Sequence, residues 1–190
     1  MKKTSIIFSV LFILSLSALG AQVPDNPALF PILNHFSANN FVAGELSQAE
    51  VNALVQAGLR APSAGNRQPW LFTVVQNPAL AAQIQPNMPA GNILIIVSGV
   101  LSGSGRDAVI LDAGLAAQSQ FFAAQALGLG ARQYTNAALI NRANNLKSQL
   151  GIPDNHTAII VTRFGRLPAG VDVVSSASSR ADPASKVVYR

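Results

Sequence analysis

Beyond residue 45 the chain switches repeatedly between two hydrophobic periods. Val51, Leu54, Val55 and Leu59 recur at the three-to-four-residue spacing of a helical face. Ser47-Gln48-Ala49-Glu50 opens that face as a capping box, a hydroxyl followed three residues later by a carboxylate, which predicts a helix running to about Arg60. Ala61 to Asn66 is loop punctuation, and Pro62 biases Ala61 away from helix. Trp70 to Gln76, rich in aromatic and β-branched residues, predicts a strand. A short helix from Pro78 to about Ile84 and a fully buried strand from Ile93 to Ser98 follow.

After a small flexible loop, Gly99 to Gly105, the longest helix is predicted from Arg106 or Asp107 to about Leu127. It is apolar or small on every face, with Asp107 and Asp112 its internal charges, so it is expected to be buried against other layers or another subunit. Leu127-Gly128-Leu129-Gly130 supplies its glycine stop. Ala131 to Tyr134 reads as a short strand, Asn136 to Leu150 as a polar-faced helix ended by Gly151 and Pro153, and Thr157 to Phe164 as the last strand. From about 167 to 190 the chain is rich in Pro, Ser, Asp and Ala, with order suggested only at Lys186 to Tyr189. Buried strands interleaved with helices make one layered domain, α+β or α/β.

The first twenty residues stand apart. Lys2 and Lys3 precede an uncharged apolar run from Thr4 to Leu19, and Ala18-Leu19-Gly20 offers small residues where a signal peptidase reads. About 16 apolar residues fall short of the ~20 of a spanning helix. The expectation is a signal peptide over 1–20, cleaved after Gly20 or Ala21, a single domain over 21–190, export to a periplasm or the medium, and membrane contact only in transit. Losing Lys2 and Lys3 leaves eleven basic residues against eight acidic ones, a net charge of +3. The basic residues are scattered singly, not gathered into the stripe a nucleic acid requires.

The absence of cysteine excludes disulfides, thiolate metal sites and a Cys nucleophile, and the two histidines, His35 and His156, do not make a metal site. Ser63 has no His/Asp pairing to make it a nucleophile, and His156 precedes a strand as a loop histidine can. Asp112 could be an acid, a helix cap or a subunit contact. No acid–base pair can be read from spacing.

One stretch is more specific. Arg60-Ala61-Pro62-Ser63-Ala64-Gly65-Asn66-Arg67-Gln68-Pro69-Trp70, with the strand after it, resembles the flavin loop of the nitroreductase family of FMN-dependent oxidoreductases. Phe36 to Phe41 sits where the family has an Arg-Ser-x-Arg/Lys-x-Phe entry, and Leu46 to Leu59 is similar to its first core helix. Asp112 to Gln118, closing in Ala126-Leu127-Gly128-Leu129-Gly130, looks like its central helix and Gly-Leu-Gly turn. Gly151-Ile152-Pro153 before a strand ending in Phe164-Gly165, and Arg180 to Tyr189 as a tail carrying a phosphate-contacting Arg, complete the order.

The resemblance implies an α+β domain with a central mixed β-sheet, flanking helices and a long buried central helix, paired as an intertwined homodimer. It implies FMN at the interface, with Pro62, Ser63, Ala64, Asn66 and Gln68 from one subunit and Ser37, Thr135, Asn136 and Arg180 from the other. No side chain need act as acid or base, because the flavin carries hydride between a small-molecule donor, such as NAD(P)H, and a nitroaromatic, quinone or similar acceptor by ping-pong. Three departures qualify this. His35 and Asn39 occupy the two cation positions of the entry motif, which is expected to weaken FMN binding or make reduction harder, with Arg180, Lys186 and Arg67 able to compensate. Thr135 and Asn136 replace a Glu-Gly or Gly-Gly beside the flavin N5, and the short stretch from Val97 to Asp112 implies a trimmed lid. The lost cations and the export signal also fit a non-catalytic exported dimer, flavin-binding or flavin-free, kept for scaffolding or sequestration. A ligand-binding domain unrelated to flavins is the third reading.

Overall fold

A computed structural model describes residues 26–171, 179–182 and 185–188, so the signal peptide expected over 1–20 and the order suggested at Tyr189 lie outside the described residues. The elements are α1 (Phe30–Leu33), α2 (Gln48–Leu59), β1 (Trp70–Val75), α3 (Pro78–Ile84), β2 (Ile93–Gly99), α4 (Arg106–Ala126), β3 (Gly130–Tyr134), α5 (Ala137–Asn145), α6 (Lys147–Leu150) and β4 (Thr157–Gly165). Ser47 and Glu50 form the capping box, each side chain satisfying the other's backbone N–H. Asn77 and Asn136 are one-way caps of α3 and α5, with their side-chain oxygens accepting from the first turn.

The four strands lie in the order β1-β2-β4-β3. All three pairings are antiparallel, which corrects the mixed sheet expected from the sequence while leaving the α+β class in place. β2 and β3 run the same way with α4 as their crossover, the arrangement that suggests a parallel pair. β4 inserts between them and turns both contacts antiparallel.

One further expectation changes. The predicted helix from Asn136 to Leu150 breaks at Leu146. There Asn144 turns its side chain to accept from the Ala158 N–H at 2.9 Å, and Leu146 packs into the core beside Leu150 and Ile152. The sequence allowed α4 to be buried by this chain or by another subunit, and this chain covers one side of it. Asp112, Ala113, Ala116, Ala117, Gln120, Phe121 and Ala124 face inward, but Leu111 is 68% and Leu115 43% exposed on the outward stripe. Among the described residues no helix is long and apolar enough to cross a membrane, and beyond Gly165 there is no α-helix or strand.

Two clusters fill the two sheet faces. Ile93, Ile95, Phe164, Leu129 and Ala131 meet α2 and α4 through Leu54, Phe121 and Ala124. Leu94, Ile96 and Val161 meet α3, α5 and α6 on the opposite face. Outside the core, Arg166 forks onto Glu50, with Nη1 at 2.6 Å from Oε1 and Nη2 at 2.8 Å from Oε2, tying the end of β4 to the cap of α2.

The Arg166 guanidinium, first, and the Ser47 N–H and hydroxyl hold the Glu50 carboxyl at about 2, down from its ordinary 4.5. Because the folded value is depressed, this contribution is complete above pH 4.5 and is lost as pH falls toward 2. In urea titrations at several pH values, Glu50→Gln is expected to be less stable than wild type at pH 7, with the gap closing over that window. A gap unchanged at pH 2 would contradict the assignment.

Candidate functional site

The first group of candidates lies in the loop between α2 and β1. Ser63 and Ala64 enter a single turn of 3-10 helix, and Gly65, Asn66 and Gln68 then take φ values of 60°, 54° and 48°. Glycine tolerates that left-handed region and asparagine visits it, whereas a glutamine there is held by its surroundings. What holds it is a short network. The Ser63 hydroxyl accepts from the Gln68 N–H at 3.0 Å, the Gln68 side-chain amide donates to Asn66 Oδ1 at 3.0 Å, and Arg67 Nε donates back to Ala64 O at 3.1 Å. Arg67 is therefore engaged by its own loop.

The loop hangs from α4. The Ala64 N–H donates to Oδ1 of the buried Asp112 at 3.0 Å, while Asp112 Oδ2 is buried without a partner. Of the roles the sequence left open for Asp112, acid, cap or contact, none describes this one. It is a long-range anchor, and nothing in its local sequence signals a partner 48 positions away.

The second group surrounds a cavity of about 330 Å³ lined by His35, Phe36, Ser37, Asn39, Gln118, Phe121, Gln133 and Arg180. That is at the small end of the ~300–1,000 Å³ typical of ligand sites. The entry segment reaches it by running along β3, where the Ala38 N–H donates to Ala131 O at 2.9 Å. Gly130 permits this approach, since a Cβ there would lie 3.0 Å from the Phe41 ring and 2.7 Å from Leu167. His35 donates from Nδ1 to Ile32 O at 2.7 Å, the only sense a carbonyl partner allows, and sets its ring edge-on to Phe121 and Phe122.

Of the predicted second group, Ser37 and Arg180 line the cavity, and Arg180 donates to the His35 carbonyl at 3.3 Å. Thr135 and Asn136 do not. Both are exposed just past β3, and Asn136 spends its side-chain oxygen on the Leu139 N–H as the cap of α5. Gln133, which the sequence reading missed, takes their place, and its Nε2 is buried with no hydrogen-bond partner. Strand alternation was the available signal, because Gln133 shares a face with the buried Ala131. Lys186 is exposed and does not line the cavity.

The loop and the cavity are separate in the single chain. No hydrogen bond joins them among the described residues, and Asp112 and Gln118 lie six residues apart on α4, about 9 Å along its axis. Among the described residues no group of carboxylates and histidines could hold a metal.

The sequence profile of the nitroreductase family matches residues 32–101, which spans the entry segment, α2, the loop and β2. A protein of Archaeoglobus fulgidus named as a candidate NADH dehydrogenase/NAD(P)H nitroreductase is 29% identical over 130 residues, 64% of this chain and 74% of that one. This chain is thus similar to nitroreductases in sequence over residues 32–101 and in fold over most of its length.

The solved nitroreductases agree in shape. One from Bacteroides fragilis, with bound FMN, superposes with a TM-score of 0.72 at 18% identity, covering 87% of this chain and 99% of that one. A candidate nitroreductase from Desulfovibrio desulfuricans in complex with FMN gives 0.71 at 25% identity, covering 88% and 98%.

Replacing Asp112 by Ala should free the loop. Exchange of the Ala64 amide is expected to accelerate strongly, with a stability loss of about 1–3 kcal/mol. Asp112→Asn, which keeps an acceptor at Oδ1, should exchange close to wild type. Equal protection in all three proteins would show that the anchor is not needed.

Proposed function

We propose that this protein is an FMN-dependent oxidoreductase of the nitroreductase type, passing electrons from a nicotinamide donor to a small nitroaromatic, quinone or related acceptor. The observation that carries the reading is the loop over 62–68. It is fixed in left-handed conformations by its own network, tied to α4 by the buried Asp112, and presents the exposed side chains of Asn66 and Gln68. A planar ligand with polar atoms on one edge is what such groups would receive.

The residues present fit FMN. The buried, unpartnered Nε2 of Gln133 on the cavity wall is a donor awaiting an acceptor, beside Ser37, Asn39 and Arg180. Pro62, Ser63, Ala64, Asn66 and Gln68 would hold one side of the cofactor. Ser37, Gln133 and Arg180 would hold the other, with Thr135 and Asn136 at its margin. When bound, FMN supplies the hydride chemistry, and the chain's part is to orient it, exclude water and set its charge environment.

The reading includes a homodimer. Leu111 and Leu115 form an apolar outward stripe on α4, flanking the loop anchor Asp112 and short of the cavity residue Gln118. A two-fold contact there would bring one protomer's loop to its partner's cavity. Leu115→Arg is then expected to give a monomer in size-exclusion chromatography and to lose FMN at the same time. A monomeric variant that keeps FMN would argue against a shared site.

We also infer that residues 1–20 direct export, so that the working protein begins near Ala21 and acquires its flavin after translocation. The direct test is to titrate that chain with FMN and then add NADH or NADPH without oxygen. Tight binding and bleaching of the flavin absorbance are expected. Binding with bleaching only by dithionite would point to another donor, and no binding would leave the non-catalytic dimer as the better reading.

A further inference from the structure

Two buried polar atoms that find no partner stand side by side in the sheet. In the β3–β4 register Gln133 lies directly opposite Thr162. Gln133 Nε2 and Thr162 Oγ1 are both buried without a hydrogen-bond partner, so neither satisfies the other. Residues paired in this way have Cβ atoms about 4.5–5.5 Å apart. Both side chains belong to the α4 face. Gln133 alternates with the buried Ala131, and Thr162 lies between Ile160, which clusters with Ala113 and Ala117, and Phe164, which clusters with Phe121 and Ala124.

The surroundings of the pair decide what fits between them. Gln133 lines the cavity of about 330 Å³, whereas Thr162 is fully buried and stands behind it. The neighbours on this face are Ala131, Ile160 and Phe164, while Arg132 and Arg163 belong to the other face by alternation. Arg180 stands at the His35 end of the cavity. An anion between Gln133 and Thr162 would therefore be a buried charge without a counter-charge. A neutral oxygen meets no such cost. It would accept from Gln133 Nε2 and bond the Thr162 hydroxyl at ordinary lengths of about 2.7–3.2 Å, and one atom seated between the two side chains can reach both. Gln120 is also buried with both amide atoms unpartnered, but it packs against Gly58 of α2 and lies outside this cavity.

We infer that Gln133 and Thr162 form the floor of the ligand cavity and take one neutral oxygen of the bound molecule, a hydroxyl or a carbonyl, between them. The inference rests on the FMN reading above. It assigns this contact to the uncharged part of the flavin and not to the phosphate. It also accounts for two orphaned groups that cost the empty protein stability and are satisfied only when the cavity is filled.

Thr162→Val exchanges the hydroxyl for a methyl of nearly the same shape, and Gln133→Leu removes the amide. Both variants and their combination are titrated in the mature chain with FMN, riboflavin and lumiflavin, and their flavin-free melting temperatures are recorded. Each single variant should lose roughly tenfold in affinity for FMN and for riboflavin alike. The double variant should lose little more than either single one, because both groups hold the same atom. Lumiflavin keeps the ring but lacks the hydroxylated chain and the phosphate. It should show the same loss if the oxygen is a ring carbonyl and none if it is a hydroxyl. The flavin-free Tm of Thr162→Val should equal or exceed that of wild type, since the hydroxyl has no partner there.

Wild-type affinities in the variants would overturn the inference and leave the FMN reading intact, the pair then holding at most a structural water. A loss confined to FMN would place the contact at the phosphate, and losses that add in the double variant would mean two separate contacts; either overturns it. So would a lost affinity accompanied by a lowered flavin-free Tm in Thr162→Val, which would assign the hydroxyl to the fold. Failure of wild type itself to bind any of the three flavins would remove the FMN reading and this inference together.

Discussion

The close seating of α4 against the sheet is the constraint on which the other features hang. Ala113, Ala116, Ala117 and Ala124 are all fully buried along its inner face, and their small side chains let the helix lie near β2 and β4. That seating fixes Asp112 beneath the loop at one end and Phe121 against the cavity at the other. A bulkier inner face would lift the helix and shift both groups at once, because packed interiors transmit such displacements. The polar groups of the candidate site are thus placed by apolar packing that never touches them.

How far this was legible in the chain depends on the range over which each signal acts. Local signals served well: the Ser47 capping box, the glycine-rich stop after α4 and the β-branched runs of β1, β2 and β4 mark elements that form largely as expected. A loop over Ala61 to Asn66 was legible too, from its Pro and Gly, although the left-handed φ of Gln68 was not. What was hidden acts between distant positions. The resemblance implied a mixed sheet, and nothing local to Thr157–Gly165 says that this strand pairs between β2 and β3.

The same limit applies to side chains. Asp112 finds Ala64 across 48 positions and Arg132 finds Asn39 across 93, and neither pairing leaves a periodic trace. Gln133 differs, because strand alternation alone places it on the cavity side. The sequence therefore located the segments of the site better than its polar partners. It showed that the entry segment lacks its cations, but not that a strand nearly a hundred residues later reaches back to Asn39.

The position of β4 also bears on how the chain is built in time. The strand that completes the sheet is the last to be synthesised, and until it arrives β2 and β3 have no common partner. Sheet closure must wait for contacts distant in sequence, a topology that slows folding. Any product ending before Thr157 would leave the very hydrophobic run Ile93-Leu94-Ile95-Ile96-Val97 with one edge unpaired. Such edges recruit strands from other molecules. Incomplete chains of this protein are therefore aggregation hazards rather than smaller folded units, and quality control during synthesis has to act before residue 157 is reached or keep the earlier strands apart until it is.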